Sequence, residues 1–212
     1  SERELQSTAL FLVLCIVCLG NVFCIDSRKG VVRLLRCTKY GQEKLLRVKY
    51  WWSLLIALFL YLCCFLPNFL NLIRGFGIPN LDIPLQSIQF YAQADGGLSV
   101  GGFLILAEIL RFLGLWFCAM TVLAFSAAVK SYFLTVLLSG GLLVVPVLLQ
   151  MLGINLRQWS ISSCALLYDR FAASGGWAGY LIYAVCLLLL TAGLAIWTRH
   201  SFTGKWMGGK TA

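Results

Sequence analysis

Charge is scarce in this sequence. Only 12% of its 212 residues are Asp, Glu, Lys or Arg, while 60% are hydrophobic, and the mean hydropathy is +0.87. A soluble domain is about 25% charged and roughly 45–50% apolar, and a globule of this length has too little interior to hide the surplus. A soluble enzyme, a disordered tail and a secreted disulfide scaffold are therefore excluded. Histidine is down to one residue, His200, which leaves no H-E-x-x-H zinc site and no intramembrane Ser–His dyad. Cysteine is plentiful, but Cys15, Cys18, Cys24, Cys63, Cys64, Cys118 and Cys186 fall in apolar runs and read as small buried hydrophobes. Cys37 and Cys164 have no obvious partner. No metal or other cofactor is expected.

What the chain does have is long apolar runs. A hydrocarbon core about 30 Å thick takes roughly 20 helical residues to cross. Five runs qualify, at 8–25, 50–72, 103–126, 132–152 and 177–197. The expected fold is an all-α polytopic membrane bundle: five transmembrane helices in one transmembrane domain over 1–212. The first run is the shortest. It has no basic stretch before it and no small-residue cleavage site after it, so it reads as a span and not as a signal peptide.

The net charge of +9 takes its meaning from where the charges sit. Arg28, Lys29, Arg33, Arg36, Lys39, Lys44, Arg47 and Lys49 crowd the loop 26–49. With five spans, Lys130 and the tail residues Arg199, Lys205 and Lys210 (tail 198–212) join them on the same side. Arg3, Arg74, Arg157 and Arg170 fall on the other. The positive-inside rule then places the N-terminus outside and the C-terminus in the cytoplasm of a cell membrane. The charge is an orientation signal, and no nucleic-acid partner is expected. Tyr50, Trp51, Trp52, Tyr132, Trp177 and Trp197 stand at run boundaries, the depth that amphipathic rings prefer.

Within the basic loop, Asp26 or Ser27 can cap a helix starting at Arg28. Val31, Leu34 and Leu35 share one face, and Lys29, Arg33 and Arg36 the other. Gly41 offers a break, after which 42–49 can run as helix into the next span. Such an in-plane amphipathic helix either rests on anionic headgroups or docks a cytoplasmic protein.

Asp26, Gly30, Leu34-Leu35, Thr38, Gly41 and Lys49 recur in the order found after the second span of ABC-2 type transporter permeases, which this stretch resembles; Gln42 stands where that family usually has Arg. The segment 81–90 is similar to an outer-side Pro-Ile-Gln-Ser segment of some bacterial members, and Ser126 and Lys130 close the long third run as in that family. The resemblance covers most of the chain. It implies a permease half of six spans, of which the first, with any external domain after it, is not in this sequence. It also implies that 26–49 is the coupling element for a separate cytoplasmic ATPase, with Arg28, Arg33, Leu34, Arg36, Tyr40, Gly41 and Lys44 at the contact. The further partners implied are a second permease half and membrane lipids. The ATPase is expected on another subunit, and no phosphate loop is expected here. Leu138-Ser-Gly-Gly141 lies inside an apolar run, so its small residues read as close-packing positions and not as an ABC signature.

Glu108 and Arg111 are the only charges inside a run. Each costs roughly 2.5–3.5 kcal/mol at mid-membrane, and their i, i+3 spacing lets them pair. They either neutralise each other or form a polar patch on a translocation path. Pro67 and Pro146 are expected to kink their helices. Together these features point to a non-enzymatic transport subunit, a permease half working in export. The alternative is a non-transporting membrane scaffold or insertion factor whose basic loop binds lipid or protein.

Overall fold

The computed structural model describes residues 2–25, 41–76, 82–84, 87, 99–129, 131–152 and 176–203. Among them there is no strand. The helices are α1 (Glu2–Leu19), α2 (Gly41–Phe76), α3 (Val100–Val129), α4 (Tyr132–Met151) and α5 (Gly176–Thr203). Four of them are long and apolar enough to cross a membrane, as fits a membrane-spanning protein: α2 over Lys44–Gly75, α3, α4, and α5 over Gly179–Ser201. Apolar composition leaves backbone groups no water to bond, and helices satisfy them internally.

The first expected span, 8–25, is not among these four, and its helix ends earlier than the apolar run. That helix stops at Leu19, and the chain turns through residues 20–23; helix resumes at Cys24 and Ile25, where this described stretch ends. The apolar part, Leu5–Leu19, is about 22 Å long, short of the hydrocarbon thickness. Gly20 ends it because a glycine weakens helix and its carbonyl is claimed by another helix. The second span is longer than expected, since α2 begins at Gly41 and runs unbroken through Pro67. Ser99 starts α3, its hydroxyl oxygen accepting the Gly102 N–H at 3.2 Å, while the Val100 N–H donates to the Ile83 carbonyl at 2.9 Å.

Helix α3 is the axis of the bundle. In the most apolar 18-residue stretch of each helix, 67% of the residues are buried for α3, against 33% for α2 and 22% each for α4 and α5. Hydropathy does not separate them; small side chains do. Gly114, Cys118, Ala119, Ala124, Ser126 and Ala127 are all buried on α3 and let neighbouring backbones come close. One core cluster joins Phe11, Cys15 and Leu19 of α1 to Leu115, Cys118 and Val122 of α3, with Phe65 of α2 and Leu143 of α4. The other joins Phe103, Leu110 and Phe117 of α3 to Tyr180, Tyr183 and Leu187 of α5.

Cross-helix bonds show that successive helices alternate in direction. The C-terminal end of α1 meets the C-terminal end of α3 through Gly20 and Ser126, and the N-terminal end of α2 through Val22 and Lys49. Tyr50, in the third turn of α2, donates to the Ala195 carbonyl near the end of α5 at 3.0 Å. At the opposite end of the bundle, Asn68 Nδ2 donates to Ser7 Oγ at 2.7 Å.

Within α4 the ladder widens to a π-helical turn over Gly140–Val144, just before Pro146. Proline has no N–H for the preceding turn, and the wider register takes up that defect. The expectation that Gly140 and Gly141 serve close packing is overturned. A Cβ added at either glycine would meet nothing within 4 Å; only Ser139 is buried. The cysteines are likewise not uniformly interior: Cys15, Cys24 and Cys118 are buried, whereas Cys18, Cys63 and Cys186 face outward.

Candidate functional site

Most buried hydroxyls in the bundle look after themselves. Those of Ser53, Thr121, Thr135, Ser139, Thr191 and Thr198 each donate to a carbonyl three or four residues back on their own helix, the usual solution where water is absent. Other polar groups reach a second element: besides the Asn68–Ser7 and Tyr50–Ala195 bonds, two groupings stand out among the described residues.

The first is at the bundle end from which residues 26–40 depart. Ser126 Oγ donates to the Gly20 carbonyl at 2.8 Å and accepts the Phe23 N–H at 3.2 Å, so one buried hydroxyl serves a donor and an acceptor freed by the turn after α1. Cys24 Sγ sits against the same group, 3.7 Å from the Ser126 carbonyl oxygen and 3.8 Å from Thr135 Oγ1 on α4. From α2, the Lys49 ammonium donates to the Val22 carbonyl and lies 4.7 Å from the Phe23 ring centroid. The chain is thereby clamped on both sides of the basic segment.

Of the residues expected to couple to an ATPase, Gly41 is the first residue of α2 and Lys44 is exposed one turn later. Arg28, Arg33, Leu34, Arg36 and Tyr40, with the expected amphipathic helix, lie outside the described residues. Sequence reasoning missed Gly20, Cys24, Thr135 and the cross-links from Lys49 and Tyr50. Ser126 was noticed only through the family pattern. A serine amid Ala and Val near a helix end was the available signal.

The second place is inside the bundle. Arg111 Nη1 and Glu108 Oε1 form an ion pair at 2.5 Å, as the i, i+3 spacing predicts. Tyr61 of α2 completes it: its hydroxyl donates to Glu108 Oε2 and lies 3.0 Å from the Glu108 carbonyl oxygen. Aromatic rings frame the group. Phe65 stacks on Tyr61 with centroids 5.1 Å apart, Phe112 meets Tyr61 edge-on at 5.2 Å, and the Arg111 guanidinium lies 5.3 Å from the Phe65 ring centroid. Arg111 is buried. The cation is therefore held by a carboxylate and a ring face, and the carboxylate by two donors, which makes an intramembrane charge pair tolerable. Tyr61 was not singled out from sequence, although a tyrosine eleven positions inside an apolar run needs a partner for its hydroxyl.

Beside this group, α2 and α3 leave a groove of about 360 Å³ lined by Tyr61, Phe65, Phe69, Ile105, Glu108 and Phe112 among others. Among the described residues no set of three His, Cys, Asp or Glu side chains converges as metal ligands would.

The expectation about phosphate loops needs correction at the tail. Residues 204–211 read Gly-Lys-Trp-Met-Gly-Gly-Lys-Thr, which matches the G-x-x-x-x-G-K-[ST] spacing. That loop cradles phosphates when it follows a β-strand. Here the membrane-length helix α5 runs up to Thr203 immediately before it, so the spacing lacks its structural context.

No protein-family model matches this chain, no curated protein matches it, and no solved structure matches it.

Proposed function

We propose that this chain is the membrane-spanning subunit of an ATP-binding cassette exporter of the ABC-2 permease kind. It sits in the cell membrane with its C-terminus in the cytoplasm and α1 as a fifth, short span. It pairs with a second permease half and is driven by a separate cytoplasmic ATPase that docks on 26–49. The subunit itself catalyses nothing. ATP-driven closure of the ATPases pushes on the basic segment, and the bundle rocks between inward- and outward-facing states.

The observation that carries this reading is the clamp around that segment. Val22 and Phe23 on its near side, and Lys49 on its far side, bond to each other, and Ser126 ties the same turn to α3. Tyr50, next to Lys49, bonds α5. These bonds link the residues flanking 26–40 to α1, α2, α3 and α5, which supports the reading that a push on the segment reaches several helices. Eight basic side chains in that loop suit an acidic or phosphate-bearing docking face.

The test is co-purification. Tagged chain extracted in mild detergent should bring down an ATPase carrying phosphate-loop and signature motifs. Replacing Arg33, Arg36 and Tyr40 with alanine should release it while the bundle stays folded. Association that survives those substitutions unchanged removes the coupling assignment.

A further inference from the structure

We propose that the outward face of α2 around Lys44 and Arg47 is a binding site for an anionic phospholipid, with the two cations on its phosphate and the apolar stripe that follows them against an acyl chain. At about 100° of rotation per helical residue, Lys44, Arg47, Val48, Trp51, Leu55 and Leu62 share one sector roughly 100° wide. All six are exposed. The first two are basic and the rest apolar or aromatic, so polarity changes once along the stripe, as it does along a phospholipid.

The depth of each group follows from helix geometry. No charged residue falls between Tyr50 and Ile73, and the 51–73 stretch is roughly 35 Å long, close to a hydrocarbon core of about 30 Å. Trp51 therefore stands at the hydrocarbon edge, the depth tryptophan prefers. Arg47 lies about 6 Å beyond it along the axis and Lys44 about 10 Å. A headgroup layer is roughly 5–8 Å thick, which puts the guanidinium at phosphate level and lets the lysine reach back on its long stem.

Charge selects the headgroup. Lys44, Arg47 and Lys49 stand against Glu43 alone in 41–49. Lys49 is spent inside the bundle on the Val22 carbonyl, whereas Lys44 and Arg47 are exposed. On α5, Arg199 is exposed one turn beyond Ala195, whose carbonyl Tyr50 holds, so a further cation stands at the same end. Arginine takes phosphate oxygens in a planar fork, and anionic headgroups are drawn to basic side chains at this depth. A zwitterionic lipid brings its own cation and gains less. A cytoplasmic protein could meet the cations but not Leu55 and Leu62, which lie at hydrocarbon depth.

The site goes beyond the permease reading and does not rest on it, so failure to find an ATPase leaves it untouched. The test is native mass spectrometry of the full chain in neutral detergent, titrated with phosphatidylglycerol or with phosphatidylcholine of the same acyl chains. Phosphatidylglycerol should bind the more tightly. Lys44→Gln combined with Arg47→Gln should weaken it about tenfold, the order of two headgroup-level cations lost, and leave phosphatidylcholine as it was. Arg74→Gln, an exposed cation at the other end of α2, should change neither. Phosphatidylglycerol with a photoreactive headgroup, added to the unaltered chain in nanodiscs, should form its adduct within 44–51, a readout that serves even if the double variant fails to fold. Equal binding of the two lipids, phosphatidylglycerol binding indifferent to the double substitution, or adducts confined to other parts of the chain overturns the proposal.

Discussion

The Ser126 hydroxyl on α3 donates to the Gly20 carbonyl at the end of α1 across 2.8 Å, and this single bond joins two helix ends that lie more than a hundred residues apart in the chain. It accepts the Phe23 N–H as well, so the turn that closes α1 has its freed backbone groups satisfied by a residue of the central helix. Ser126→Ala leaves a donor and an acceptor buried without that partner, a cost of about 1–3 kcal/mol. Thermal unfolding in detergent should show a clear fall in midpoint for Ser126→Ala. The fall should be much smaller for Ser53→Ala, whose hydroxyl bonds only its own helix.

Gly20 should tolerate no side chain. A Cβ there would sit 2.4 Å from the Ile16 carbonyl oxygen and 3.5 Å from the Tyr132 ring. Gly20→Val is expected to lose about 1–3 kcal/mol through overpacking. Gly193→Ala, where nothing lies within 4 Å, should be neutral or mildly stabilising by the same melting measurement.

Gly140 and Gly141 are predicted to behave in the opposite way to packing glycines. Open space surrounds both in the π-helical turn, so alanine should add about 0.5–1 kcal/mol of stability by narrowing the unfolded ensemble. A marked loss of stability in either variant would mean that a neighbouring helix comes close there.

The Glu108–Arg111 pair gives a double-mutant test. Glu108→Ala removes the carboxylate that pairs with a buried guanidinium and should cost about 3 kcal/mol, whereas replacing both residues with leucine should cost less than the single change. Arg74, exposed in the last turn of α2, should move stability by less than about 0.5 kcal/mol when cut to alanine. In a transport assay Glu108→Ala should likewise do more harm than Arg74→Ala; equal and mild effects at normal expression would remove Glu108 from any functional role.

Much of the architecture was legible because bilayer physics writes itself into composition. Runs of about 20 apolar residues between basic loops gave helix positions, and the i, i+3 spacing of Glu108 and Arg111 gave their pairing. The early end of α1 was overlooked: Gly20-Asn21 interrupts a run that otherwise stays apolar to Ile25, and the glycine carbonyl is taken by a serine a hundred positions away. Nor did hydropathy reveal that α3 lies at the centre, since all four membrane-length helices score alike. Small residues along α3 carried that information. Tyr61 escaped for a similar reason. A tyrosine in an apolar run is ordinary until a carboxylate from another helix is found beside its hydroxyl. The glycine pair in α4 misled, because small residues at a proline-induced defect look the same in sequence as small residues at a helix contact.

On the permease reading, a motor pushes on the segment between Val22 and Lys49. The most direct test of that claim is site-specific photocrosslinking in native membranes, with a photoreactive amino acid at Arg33 or Tyr40 and mass spectrometry of the adduct. The predicted result is a crosslink to an ATPase bearing phosphate-loop and signature motifs, changed in yield by ATP. Crosslinks to lipid alone, with no ATPase under any nucleotide condition, would contradict the claim and favour a basic loop that only holds the bundle to its membrane.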